Sequence, residues 1–200
     1  MKTITSLCIF CGSSSGSRPE YSAAARQLGS ELVSRDITLV YGGSNIGIMR
    51  AIADTVLQMG GRAIGVMPQQ LIDKEVAHKG LTALHIVNSM SERKERMARL
   101  SDAFIALPGG IGTLDELFEV MTWNQLGLID KPIALLNTCG YWDGLVRFLD
   151  NMVIEKFVRQ EHRNNLLVDH DPIHLLDRLS IFEAEKVDSK WIADLKEKGY

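Results

Sequence analysis

Short apolar runs alternate with helical patterns along most of this chain, and that alternation leaves few folds open to it. The runs cover residues 6–10, 37–41, 63–67, 84–87, 103–107 and 132–136. None alternates strictly between apolar and polar residues, which is the pattern of strands covered on both faces. Between them, apolar residues recur at helical spacing. Ala24, Leu28, Leu32 and Val33 follow Pro19, a residue suited to a first helical turn. Ile48, Ile52, Val56 and Met59 form a second stripe, which stops at Gly60-Gly61, a good C-terminal cap. Trp142, Leu145, Val146, Leu149 and Val153 form another. Strands and helices in this order predict an α/β fold: a Rossmann-like, doubly wound parallel sheet flanked by helices. No Pro/Ser-rich linker or repeat divides the chain, so a single domain is expected over 1–185, with 186–200 as a charged peripheral tail.

At 200 residues and 46% hydrophobic content the chain can bury one full core. Its net charge of −3 provides neither the basic patch of a nucleic-acid binder nor a polybasic stretch for a membrane surface. No apolar stretch reaches about 18 residues and no signal-peptide pattern is present, so the cytoplasm is the default compartment. Cys8 and Cys11 make a lone Cys-x-x-Cys at a strand end, read as two small core residues rather than a redox pair. His170 and His174 are separated by Pro172, which breaks any shared helical face, and no metal site is expected.

In an open parallel sheet, ligands bind beyond the carboxyl ends of the strands. Three turns there are rich in glycine and serine: Cys11-Gly12-Ser13-Ser14-Ser15-Gly16-Ser17, Gly42-Gly43-Ser44-Asn45-Ile46-Gly47 and Pro108-Gly109-Gly110-Ile111-Gly112-Thr113. The third is the strongest signal. Pro108 stops the strand, and Gly109, Gly110 and Gly112 lack the Cβ atoms that would keep an anion from the main chain. Thr113 stands at a helix start, where its hydroxyl can cap the helix or donate to the same anion. Free amides and the positive dipole end suit one phosphate. The turn has neither the Gly-Lys-Ser/Thr of a Walker A loop nor Gly-x-Gly-x-x-Gly, so triphosphate hydrolysis and NAD chemistry are not favoured.

The helical pattern over 90–100 has Met90, Met97 and Leu100 on its apolar side, and Arg93 and Lys94 fall on that same side. A cation there is costly unless paired, so an anionic partner is expected. Glu92 with Arg96, and Glu95 with Arg99, are expected as i, i+4 pairs on the outer faces. In the helix after the third turn, Leu114, Leu117, Phe118 and Met121 read as the core stripe. Glu116 is expected to point roughly the other way, on a side that also carries Val120, Trp123 and Leu126. A helix apolar on two sides is usually covered on both, so a homodimer through 113–126 is expected.

These motifs resemble the LONELY GUY family of cytokinin-activating phosphoribohydrolases, also labelled "possible lysine decarboxylase". The resemblance runs from about residue 7 to 167. It includes Pro-Gly-Gly-x-Gly-Thr-x-x-Glu over 108–116, the Arg93, Lys94 and Met97 element, Phe10-Cys11-Gly12-Ser13-Ser14, Val40-Tyr41-Gly42-Gly43 and Thr122-Trp123-Asn124-Gln125-Leu126-Gly127. Two departures from the family's pattern stand out: Ser91 replaces a common His, and Gly42 to Arg50 reads Gly-Gly-Ser-Asn-Ile-Gly-Ile-Met-Arg. The resemblance implies a Rossmann-like dimer with its active site near the subunit interface. It implies hydrolysis of cytokinin riboside 5′-monophosphates to free base and ribose 5-phosphate, with AMP cleaved by related members; no cofactor is expected. It implies Arg93 and Glu116 as the catalytic pair. Lys94, Gly109, Gly110, Ile111, Gly112 and Thr113 would bind substrate, with Gly12, Ser13 and Gly43 of the earlier turns. A non-catalytic nucleotide-binding protein of the same fold is the competing reading, against which the presence of both Arg93 and Glu116 speaks.

Overall fold

The apolar runs become strands and the periodic stretches become helices. In chain order these are β1 (Ser6–Phe10), α1 (Pro19–Ser34), β2 (Thr38–Tyr41), α2 (Gly47–Gln58), β3 (Ala63–Pro68), α3 (Gln69–Ile72), β4 (Ala83–Val87), α4 (Met90–Arg99), β5 (Ala103–Ala106), α5 (Ile111–Gln125), β6 (Ile133–Leu136), α6 (Asp143–Ile154), α7 (Gln160–Asn164), β7 (Leu166–Asp169) and α8 (Pro172–Ser180). A 3₁₀ turn, Thr138–Gly140, lies between β6 and α6. The computed structural model describes residues 4–72 and 77–185, so the expected 186–200 tail lies outside the described residues. Among those described, no helix is long and apolar enough to cross a membrane.

The strands form one seven-stranded sheet in the order β4-β3-β2-β1-β5-β6-β7, and every pairing is parallel. Leu7 pairs with Leu39 on one side and with Ala103 on the other, so β1 sits where the winding reverses. Such a switch point opens a crevice beyond the carboxyl ends of the strands flanking it. β7 is a strand the apolar runs did not reveal. Its four residues, Leu-Leu-Val-Asp, are bounded by Asn164-Asn165 and His170-Asp171, too short a run to stand out.

Alternate residues of each strand feed two cores. Leu7 and Ile9 pack with residues of α1, α2 and α8 on one face of the sheet. Cys8 and Phe10 pack with residues of α4, α5 and α6 on the other. Three residues apart, Cys8 and Cys11 therefore fall in different cores. Both are free thiols, and burial pushes both pKa values up.

Helix α4 opens on a variant of the capping box, in which the returning carboxylate accepts from the residue before the N-cap Ser89. The Glu92 amide donates to Ser89 Oγ at 3.1 Å, and the Asn88 amide donates to Glu92 Oε2 at 2.8 Å. Such a cap contributes about 1 kcal/mol. It takes up the Glu92 carboxylate expected to pair with Arg96, and Arg96 reaches His85 Nδ1 at 3.4 Å instead. Glu95 and Arg99 do pair, at 3.4 Å. Met90, expected on the core side of α4, is exposed; the buried residues of this helix are Arg93, Met97 and Ala98.

Candidate active site

The three glycine-rich turns meet at the carboxyl edge of the sheet. The Gly12 amide donates to the Pro108 carbonyl at 3.1 Å, and the Ile48 amide donates to the Gly12 carbonyl at 3.1 Å. This contact is close because Gly109 has no side chain. A Cβ there would overlap the Thr113 hydroxyl and lie 2.9 Å from the Gly12 nitrogen.

Gly110 is the N-cap of α5, in extended conformation, and Leu114 donates the first helical bond back to it at 3.2 Å. The amides of Ile111, Gly112 and Thr113 therefore precede the helical ladder. A Cβ at Gly110 or at Gly112 would meet nothing within 4 Å. The result is an open cradle of main-chain donors at the positive end of a helix, suited to an anion. Thr113 does not cap the helix: it stands inside the first turn, buried, with its hydroxyl against Gly109.

Glu116 lies one turn further along α5; what the structure corrects is which side of that helix faces the core, not the side on which Glu116 stands. It is buried on the same stripe as Thr113, Leu117 and Val120, while Leu114, Phe118 and Met121 are only partly buried. A carboxylate can occupy that stripe because α4 brings a cation to it. Arg93 Nη1 lies 3.4 Å from Glu116 Oε1, and both residues are 8% exposed. Arg93 Nε donates to the Val66 carbonyl in the second half of β3 at 3.0 Å. The guanidinium also passes over Gly42, where a Cβ would overlap its Nη2. Gly42 was not among the expected site residues; only the packing of the guanidinium reveals its part.

Burial pushes the Glu116 carboxyl up to about 7, against the downward pull of Arg93. The sign of the linked stability follows. Between the ordinary value of 4.5 and about 7 the folded state binds more protons than the unfolded, so stability falls as pH rises through that window. Glu116→Gln removes this dependence. Relative to the wild type, the variant is expected to gain up to about 3 kcal/mol between pH 4.5 and pH 8. Denaturant unfolding of both proteins at the two pH values measures this; parallel pH profiles would contradict it.

Lys94 finds its anionic partner in the protein itself. Its Nζ lies 3.0 Å from Asp115 Oδ2 and 3.2 Å from Glu119 Oε1. Partial burial works to lower its pKa, but hydrogen bonds and charge from Asp115 and Glu119 outweigh this and raise it. Gly43 is engaged with β3 and the loop at His78: its carbonyl accepts from the His78 amide at 2.9 Å, and its Cα face packs toward Gly65. Ser13 is exposed, with its backbone against Gly47. The cradle has one partner that no sequence motif announced. The Tyr141 hydroxyl, from the segment after β6, donates to the Gly109 carbonyl at 2.5 Å. No group of three or more His, Cys, Asp or Glu side chains among the described residues could hold a metal ion.

Comparison with known proteins bears on both the fold and the chemistry. A family model described as "possible lysine decarboxylase" matches residues 49–179. Cytokinin riboside 5′-monophosphate phosphoribohydrolase LOG1 of Arabidopsis thaliana is 44% identical over 195 residues, 96% of this chain and 92% of that protein. LOG5 of the same plant, with the same descriptive name, is 45% identical over 177 residues, 88% of this chain and 78% of that protein. Among solved structures, the molybdenum cofactor binding protein from Rippkaea orientalis superposes with a TM-score of 0.66 at 20% identity, over 88% of this chain and 96% of that one. That last likeness is one of fold.

Proposed function

The chain belongs to the family of cytokinin riboside 5′-monophosphate phosphoribohydrolases, and from that premise we propose how its residues divide the hydrolysis of the bond between base and ribose. The 5′-phosphate sits at the start of α5, on the amides of the 109–113 segment. This seats the ribose along the first turns of the helix, where Glu116 follows Thr113 by about 4.5 Å of helix rise. Fixing the phosphate fixes the sugar relative to the carboxylate.

Breaking the bond to the base builds positive charge on the sugar, an oxocarbenium-like state. Ionised Glu116 stabilises that charge and orients or deprotonates the attacking water, whose hydroxyl ends on ribose 5-phosphate while the proton it gives up ends on the departing base. Arg93 favours the ionised form of Glu116 and fixes its direction. Lys94 ties α4 to α5 at the rim. A Schiff base on lysine needs a neutral amine, and the ammonium of Lys94 is held charged by two carboxylates. The observation that carries this reading is a buried carboxylate paired with a buried guanidinium, one turn from an open cradle of helix-start amides.

The test is direct. The purified protein is incubated with a cytokinin riboside 5′-monophosphate, with AMP and with the unphosphorylated riboside, and free base and ribose 5-phosphate are measured by chromatography. Base release from the nucleotides, and far slower release from the riboside, is the expected result. No release from any nucleotide would overturn the reading.

A homodimer through α5 is part of the same proposal. Leu126 and Leu128 at the end of α5, with Phe148, Ile154 and Phe157 on and after α6, are large apolar side chains left exposed. Sedimentation is expected to give about twice the chain mass of 22.2 kDa. A monomer at micromolar concentration would overturn this part alone.

A further inference from the structure

We infer that Tyr141 is a positioning residue of the anion cradle: its hydroxyl locks the Gly109–Gly110 peptide in the orientation that presents the Gly110 amide to the bound phosphate. The inference rests on the phosphate seat proposed above. A peptide between two glycines is among the easiest in a chain to rotate, since neither neighbour has a Cβ to restrict it. Something outside the turn must therefore hold it.

Two hydrogen bonds from separate parts of the fold do so. The Gly12 amide, after β1, holds the Pro108 carbonyl at 3.1 Å. The Tyr141 hydroxyl, after β6, holds the next carbonyl, that of Gly109, at 2.5 Å. In a trans peptide the carbonyl oxygen and the amide hydrogen point to opposite sides. Drawing the Gly109 oxygen to the phenol thus turns the Gly110 N–H away from it, and the space where side chains at Gly110 and Gly112 would stand is open. Donation to the carbonyl also polarises the peptide and strengthens its N–H as a donor.

The phenol is itself held in place. Tyr21 meets the Tyr141 ring edge-on, with centroids 5.6 Å apart, and Trp142 does the same at 4.8 Å. Tyr21 is buried, and a Cβ on Gly16 would lie 2.8 Å from its ring. The Trp142 amide donates to Asn137 Oδ1 at 2.6 Å, anchoring the other side to the end of β6. The aromatic brace therefore runs from the first glycine-serine turn, through two tyrosines, to the phosphate turn.

The test compares Tyr141→Phe with Tyr141→Leu, using the nucleotide as substrate and inorganic phosphate as competitor. If the hydroxyl is what matters, Phe raises both the KM of the nucleotide and the inhibition constant of phosphate about tenfold, changes kcat less than about threefold, and leaves the melting temperature at the wild-type value. Leu shows the same binding loss. If the ring merely packs, Phe behaves as wild type and only Leu is impaired, and the inference is overturned while the phosphate seat stands. If phosphate does not compete with the nucleotide in the wild-type protein, the seat itself fails, and the role of Tyr141 with it.

Discussion

Glu116→Gln is expected to stop base release while leaving nucleotide binding nearly intact. The amide keeps the shape of the carboxylate and can still accept from Arg93 Nη1, now 3.4 Å from Glu116 Oε1. What it loses is the negative charge, which acts on the substrate chiefly when the sugar becomes cationic. An interaction made in the transition state and not in the ground state appears in kcat rather than in KM. A fall of about 10³-fold in kcat, with KM within about threefold of wild type, is therefore the expected outcome. Steady-state chromatography of released base measures it, and a variant turning over at the wild-type rate would remove Glu116 from the chemistry. The wild-type profile carries a second sign. Because burial pushes the carboxyl up to about 7, the ionised fraction, and the rate with it, rises with pH through neutrality. The residual rate of the glutamine variant has no such limb.

Arg93→Ala acts on the same carboxylate from the other side. Arg93 opposes the effect of burial on Glu116, so its removal moves the Glu116 pKa further up and leaves most of the carboxyl protonated at pH 7. The Val66 carbonyl also loses its donor. Removing one partner of a buried pair can cost about 3–5 kcal/mol, but here proton uptake by Glu116 limits the cost at neutral pH. We expect kcat/KM at pH 7 to fall by about 10²-fold or more, and the deficit to narrow as pH is raised toward 9. Rates measured across that range, with melting curves to confirm folding, decide the matter. Kinetics that match the wild type at pH 7 would make Arg93 a purely structural cation.

Much of this arrangement could be read in the sequence because the relevant signals are local. Strands covered on both faces appear as apolar runs, and three glycines within four residues at 109–112 need a reason close to the main chain. Arg93 was visible as a cation on the inward side of its helix. That the side of α5 carrying Glu116 and Val120 faces the core was not, because a stripe of leucine, phenylalanine and methionine on the same helix read as the core face. In the folded chain the partner on α4 makes burial of the carboxylate tolerable, and that partner belongs to another segment. Lys94 shows the same limit: its carboxylates lie twenty residues and more downstream, on the next helix. β7 escaped because four residues give no period, and Tyr141 because a single hydroxyl bonded to a glycine 32 positions away leaves no trace in spacing.

Gly42 has a consequence for judging which relatives of this chain are working enzymes. The guanidinium of Arg93 occupies the volume that any side chain at position 42 would fill. A homologue could thus keep the whole 108–116 signature and still be inert, through a one-codon change at the end of a different strand. Sorting active sequences from silent ones calls for reading the glycine at 42, the arginine at 93 and the glutamate at 116 as a single joint character.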